Sequence, residues 1–218
     1  MNCWTNKDTE IYCSFAKTAG NTGCQLMNTA FYYYGMNKIY KSFSIDNIKE
    51  GVQAVKTLGI KGFAVTMPFK KEVLNFVDII TKEASESGSA NTVLNCDGKL
   101  EAYNTDVYST EIILEEFENN NYSSSMLYIL GDGGLAAAVK YSANKMLFDY
   151  KIITRDRWNQ IDNIKESIIF NCTPVKDIKV HSSNKYIDSI VGTQTGNRLA
   201  KLQASKQFEL YTNRKFPL

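Results

Sequence analysis

Residues 126–139 read Met126-Leu127-Tyr128-Ile129-Leu130-Gly131-Asp132-Gly133-Gly134-Leu135-Ala136-Ala137-Ala138-Val139. The apolar run Met126–Leu130 has the length of a short buried strand, and the alanine-rich run after the glycines has the character of a helix. Strand, glycine turn and helix in that order is the context that a dinucleotide fingerprint requires. Gly131 and Gly133 allow the tight turn and a close approach of backbone to a pyrophosphate, and Ala136 serves as the third small residue. The helix that follows would offer its first N–H groups to the phosphates. Asp132 sits inside this loop, where a carboxylate repels a pyrophosphate unless it points away.

Working outward, β-rich runs alternate with helical patterns, which predicts βα units and a parallel sheet. Strands are expected at Glu10–Phe15, Ile39–Ser44, Phe63–Thr66, Lys151–Thr154 and Ser167–Asn171, with Ile178–Val180 and Tyr186–Val191 as further candidates. A helix is expected over Gln25–Tyr34, stopped by Gly35. Another, capped by Asp46, runs through Leu58 to Gly59. A third covers Lys70–Val77, and a fourth opens at Asp106 and runs to about Asn119. Thr92–Cys96 and Leu100–Tyr103 form a hairpin around Asp97-Gly98, a strong two-residue turn signal. The polar run 118–125 is the best linker candidate. The expected fold class is α/β, an N-terminal α/β domain plus a small Rossmann-like dinucleotide-binding domain. The domains expected are residues 1–105, then 106–195 with its linking helix, then a closing helix in 196–218 that packs back on the first domain.

Composition narrows the function. The chain has 218 residues, 44% hydrophobic and 22% charged, as in a soluble globular protein. A formal net charge of +2 gives no electrostatic case for nucleic acid or an anionic membrane surface. No apolar run is long enough to span a bilayer, and the first ten residues lack the basic and apolar regions of a secretion signal. Five cysteines (3, 13, 24, 96 and 172) form no CxxC pair, which suits reduced thiols in a cytoplasmic protein. His181 is the only histidine, so neither a metal site nor a histidine-dependent hydrolase is expected.

Three polar clusters remain, each at the end of a short apolar run: Val65-Thr66-Met67-Pro68-Phe69-Lys70, Gly88-Ser89-Ala90-Asn91-Thr92-Val93 and Tyr103-Asn104-Thr105-Asp106. They supply a lysine, an amide and a carboxylate, which points to proton chemistry on an alcohol or carbonyl. Each residue also has a plain reading. Lys70 could be a solvated residue in the first turn of a helix, Asp106 an N-cap, and Asn91 a turn stabiliser.

In wording and spacing these clusters resemble the shikimate dehydrogenase family. A further match is Gly196-Asn197-Arg198-Leu199-Ala200-Lys201-Leu202-Gln203-Ala204, followed by Gln207-Phe208-Glu209-Leu210-Tyr211-Thr212, which is similar to that family's closing helix. The stretch Asn37–Phe43 is most similar to the divergent, shikimate dehydrogenase-like branch. The resemblance implies that Lys70 and Asp106 form the catalytic pair, the lysine shuttling the proton and the aspartate orienting it. It implies that Thr66, Asn91 and Gln203 bind substrate hydroxyls, with Asn21 near the substrate carboxylate. It also implies that Gly131, Gly133, Gly134 and Ala136 hold the pyrophosphate of NADP, and that Thr154 and Arg155 meet its 2′-phosphate. Thr173, in a match to the NxTP turn, and Gly196 are placed with the cofactor.

The implied activity is NADP-dependent interconversion of shikimate, or a related cyclic polyhydroxy acid, and its 3-dehydro form. The partners implied are a shikimate-like small molecule and no nucleic acid or membrane; a homodimer stays open. Asn21-Thr22-Gly23 stands where the main branch has a pair of serines, and the segment between Pro174 and Gly196 is short for the family. The alternative is therefore a substrate-binding or regulatory paralogue without hydride transfer.

Overall fold

The computed structural model describes residues 5–119 and 125–217, so residues 120–124 of the expected linker lie outside it. The chain divides into two compact units, Met1–Thr105 with Gln203–Leu218, and Asp106–Leu202.

In the first unit, β1 (Glu10–Ala16), β2 (Lys38–Ser44), β3 (Gly62–Val65), β4 (Ile79–Ile80), β5 (Thr92–Cys96) and β6 (Lys99–Tyr103) make one sheet in the order β2-β1-β3-β5-β6-β4. Only β5 runs against its neighbours. Successive residues of β1 face opposite sides, as the two-residue period of a strand dictates. Cys13 and Phe15 pack with Ile48, Val52 and Val55 of α2 (Ile48–Leu58). Tyr12 packs with Met27, Ala30 and Phe31 of α1 (Thr22–Tyr33) and with Ala204, Phe208 and Tyr211.

Gly59 ends α2 in the left-handed region as expected, but the N-cap is Asn47, whose side-chain oxygen accepts from Lys49 N–H at 2.9 Å. The Asp46 carboxylate is instead drawn onto Lys17. The hairpin turns at Asp97 and Gly98 with φ of 52° and 92°, the backbone that an Asp-Gly pair favours. The helix expected over Lys70–Val77 is reduced to a 3-10 helix, Glu72–Phe76. The Lys70 carbonyl accepts Ala90 N–H at 2.8 Å, which gives it a partner outside any helical ladder. The short α3 (Lys82–Ser87) follows and closes at Gly88.

The second unit contains β7 (Leu127–Leu130), β8 (Tyr150–Ile153), β9 (Ile168–Asn171) and β10 (Lys185–Asp188), all parallel, in the order β10-β9-β7-β8. Its helices are α4 (Thr105–Asn119, from Asp106 on), α5 (Gly134–Lys145) and the first part of α6 (Gln194–Thr212). Ile113, Leu114, Ala136, Val139, Ala143 and Leu199 cover one face, on Leu127, Ile129, Ile168, Phe170 and Ile187. A 3-10 segment, Arg155–Asn163, brings Ile161 to the other face beside Leu130, Ile153 and Ile169.

Two strand expectations are corrected. Ile178 and Val180 pack half-buried against that second face without joining a ladder. The strand expected to reach Val191 stops at Asp188, because the Asp188 carboxylate turns back to accept Ile190 N–H at 3.0 Å. The closing helix begins at Gln194, and its residues up to Leu202 group with the second unit while Gln203 onward groups with the first. Among the described residues, no helix is long and apolar enough to cross a membrane. No group of three metal-ligating side chains is found among them either.

Candidate functional site

In the first unit, the residues singled out from sequence gather at the sheet edge where β1 and β3 end and β5 begins. Thr66 N–H bonds to Phe15 carbonyl at 3.0 Å, Val65 N–H to Asn91 carbonyl at 2.8 Å, and Ala90 N–H to Lys70 carbonyl at 2.8 Å. Those three backbone links bring Thr66, Lys70 and Asn91 to one edge. Thr66 is exposed and Lys70 half-buried. The Met67–Pro68 peptide between them is cis.

Asn91 is buried, and its side-chain oxygen accepts from Thr105 N–H at 2.8 Å, Thr105 Oγ1 at 3.1 Å and Thr92 Oγ1 at 3.0 Å. The loop before it is fastened by Asn104, whose Nδ2 donates to Ser87 Oγ, Ser89 carbonyl and Ser89 Oγ at 2.9–3.0 Å. Asn21 stands at the N-cap position of α1, exposed and without a side-chain capping bond. Gln203 is half-buried on α6. One turn further along the same helix, the buried Gln207 reaches Asn91 carbonyl with its Nε2 at 3.5 Å. Sequence reading passed over Gln207; its spacing of four residues from Gln203, on one helix face, is the signal that would have found it.

Asp106 does not take the N-cap position. The helix α4 already begins at Thr105, and the Asn91 side chain satisfies Thr105 N–H from outside the helix. Asp106 lies fully buried in the first turn, and Ser109 Oγ donates to its backbone carbonyl at 2.9 Å.

In the second unit, the residues tied to a dinucleotide, Gly196 apart, follow the carboxyl ends of β7, β8 and β9 in the parallel sheet. The chain passes from β7 to β8 on one side, then returns across β7 to β9 on the other. That reversal makes the β7–β9 crevice the switch point where ligands of open α/β sheets bind. Gly131, ending β7, and Thr173, following β9, face each other there. Gly131 has φ of 95°, and a Cβ on it would stand 2.7 Å from Thr173 Cγ2. Both the backbone and the space therefore require glycine. Gly133, in extended backbone, is the N-cap of α5; Gly134 opens the helix and Ala136 is buried within it. Asp132 is held by Lys140, whose Nζ donates to its Oδ1 at 2.8 Å.

Thr173 is fixed by Asn171, a fully buried amide whose oxygen accepts Thr173 N–H at 3.0 Å and Thr173 Oγ1 at 2.7 Å. The same amide donates to Asp188 Oδ1 at 3.1 Å, tying the ends of β9 and β10 together. After β8, the Thr154 hydroxyl donates to Asp156 and holds its carboxyl below the usual carboxylate range. Arg155 is exposed at the start of the 3-10 segment, and Arg157 donates to Ile152 carbonyl at 3.1 Å. Gly196 is buried in the first turn of α6, where a Cβ would meet Ile190 carbonyl oxygen at 2.0 Å. Packing of the helix start accounts for that glycine without a ligand.

Comparison with known proteins adds a likeness of sequence and fold. Residues 22–93 match the shikimate dehydrogenase substrate binding domain. The shikimate dehydrogenase-like protein of Haemophilus influenzae is 29% identical, with 96% of this chain and 93% of that protein aligned. That alignment runs over 254 positions against a chain of 218 residues, so the relative carries segments that this chain lacks. The shikimate dehydrogenase (NADP(+)) of Pyrococcus furiosus is 35% identical over 65% of this chain, which spans about half (52%) of that enzyme. Among solved structures, a shikimate 5-dehydrogenase-like protein superposes with a TM-score of 0.80 at 27% identity, covering 97% of this chain and 94% of the other. The chain is thus similar in its residues 22–93 to a shikimate dehydrogenase substrate binding domain, and over nearly its whole length and in its fold to shikimate dehydrogenase-like proteins.

Proposed function

We propose that the chain is an NADP-dependent oxidoreductase that interconverts shikimate, or a related cyclic polyhydroxy acid, with its 3-dehydro form. The observation that carries this reading is the abutment of Gly131 and Thr173 at the sheet's switch point, a cradle that a single Cβ would fill. It stands in a chain whose residues 22–93 match a shikimate dehydrogenase substrate domain.

In this reading Lys70 accepts the proton of the substrate hydroxyl on oxidation and returns it on reduction, and Asp106 orients the lysine. Thr66, Asn91 and Gln203 bind hydroxyls, and Asn21 lies toward the carboxylate. The loop Gly131–Gly134 and the start of α5 would hold the pyrophosphate, where backbone N–H groups and the helix dipole favour an anion. Arg155 would take the 2′-phosphate, for which a guanidinium fork is suited, with Thr154 and Thr173 alongside. When bound, the dinucleotide supplies hydride acceptance and donation. The name of the Pyrococcus relative supports NADP as the dinucleotide. Cytoplasmic location belongs to the same proposal.

The test is shikimate-dependent reduction of NADP by the purified protein beside Lys70→Ala. Reduction that falls by a factor of at least about 100 in the variant, in the range of general acid–base contributions, supports the reading. A second reading, a substrate-binding paralogue without hydride transfer, is favoured by the segments this chain lacks relative to its Haemophilus relative. Calorimetric binding of shikimate with no reduction of NADP or NAD would select it.

A further inference from the structure

Asp132 is the one carboxylate in the Gly131–Gly134 turn, and it sits two residues before α5, where the helix dipole and the loop N–H groups favour an anion. Left uncompensated there, its charge would oppose a pyrophosphate in the same turn. Lys140 lies on α5, eight residues further along the chain, and its Nζ reaches back to Asp132 Oδ1 at 2.8 Å. The Lys140 side chain is 27% exposed and that of Asp132 is 54% exposed. The lysine stem therefore lies mostly covered, with its charge delivered to the loop, as long basic side chains commonly do.

We propose that Lys140 is a positioning residue for dinucleotide binding: it neutralises Asp132 and holds that carboxylate clear of the phosphate cradle. This rests on the dinucleotide-binding reading above and adds a residue to it. Lys140 needs no contact with the phosphates. Its whole effect runs through Asp132, so removing both charges restores what removing the lysine alone takes away.

The test is titration of the full-length protein with NADPH, followed by its fluorescence at low and moderate salt, for wild type, Lys140→Met, Asp132→Asn and the double variant. Lys140→Met is expected to weaken binding about tenfold or more, with the loss shrinking as salt screens the Asp132 charge. Asp132→Asn is expected to bind at least as tightly as wild type, and the double variant within about threefold of Asp132→Asn. Three results overturn the proposal: Lys140→Met binding like wild type, Asp132→Asn binding more weakly than wild type, or a double variant as weak as Lys140→Met. The last would make Lys140 a direct phosphate ligand. Failure of wild type and all variants to bind NADPH, while shikimate still raises the melting temperature, overturns the dinucleotide reading together with this one. Recovery in the double variant separates a charge effect from lost helix packing, because a merely structural lysine would not be rescued by a second change in the loop.

Discussion

The side-chain oxygen of Asn91 accepts the backbone N–H of Thr105 at 2.8 Å, and Thr105 is the first residue of α4. One amide therefore starts a helix and also stands at the sheet edge that gathers Thr66 and Lys70. Removing it leaves a buried N–H without this acceptor. Asn91→Ala is expected to cost about 1–3 kcal/mol of stability, the usual penalty for such an orphan. The check is the urea midpoint at an unchanged denaturant slope. An unmoved midpoint would mean that Thr105 N–H finds another partner.

Gly131→Ala is expected to weaken dinucleotide binding and to destabilise the fold by about 1–3 kcal/mol. It forces a side chain into the left-handed region and against Thr173 Cγ2. Adding Thr173→Ser removes that methyl while retaining the hydroxyl that bonds Asn171. The double variant should recover part of the binding but not the backbone strain. Calorimetry with NADP and thermal melts read the two effects separately.

Tyr211 is buried, and its hydroxyl has no hydrogen-bond partner among the described residues. Burial pushes the phenol well above its ordinary value, so it stays neutral. Tyr211→Phe removes an unsatisfied polar atom and should leave stability unchanged or raise it by up to about 1 kcal/mol. The ring itself is needed. It lies over Gly62, where a Cβ would meet Tyr211 Cε1 at 2.7 Å, and Gly62→Ala is expected to cost about 1–3 kcal/mol through overpacking. Melting temperatures of the two variants should move in opposite directions, or only the second should move.

Glu116 of α4 pairs with Arg198 of α6, and the guanidinium holds its carboxyl below the ordinary value of 4.5. A depressed folded-state value means that the unfolded chain takes up the proton first as pH falls. The pair's contribution is therefore present above the unfolded value and is lost as pH drops through the lower folded value. Both side chains are half-exposed, so solvent screening keeps the effect near about 0.5 kcal/mol. Melts of Glu116→Gln against wild type should differ at neutral pH and converge below the ordinary glutamate range. A difference that persists into strong acid would contradict this account.

The architecture was legible where a local signal carries its own geometry. The glycine turn after Leu130 and the Asp-Gly hairpin specify backbone angles, and Gly59 specifies a helix end, without reference to distant residues. Legibility failed where a partner far along the chain decides. Asp46 loses the cap to Asn47 because Lys17 takes its carboxylate. The helix expected from Lys70 does not propagate because Ala90 takes the Lys70 carbonyl. At the candidate site, residue types were readable but their bonds were not. The oxygen of Asn91 is committed to Thr105, fourteen positions later, and no local pattern announces that Asp132 is met by Lys140.

The division of α6 has a consequence for biosynthesis. Phe208 and Tyr211 complete the core that Tyr12 and Phe31 begin, and Tyr12 OH donates to Tyr211 carbonyl across 199 positions of sequence. Residues 203–212 leave the ribosome only after all of the second unit. A nascent first unit therefore waits, with the part of that sheet face not covered by α1 left open, until translation has passed Tyr211. Contacts of such long sequence separation slow folding and leave apolar surface open to aggregation in the meantime. The later unit can assemble its own parallel sheet while the earlier one still lacks its last helix.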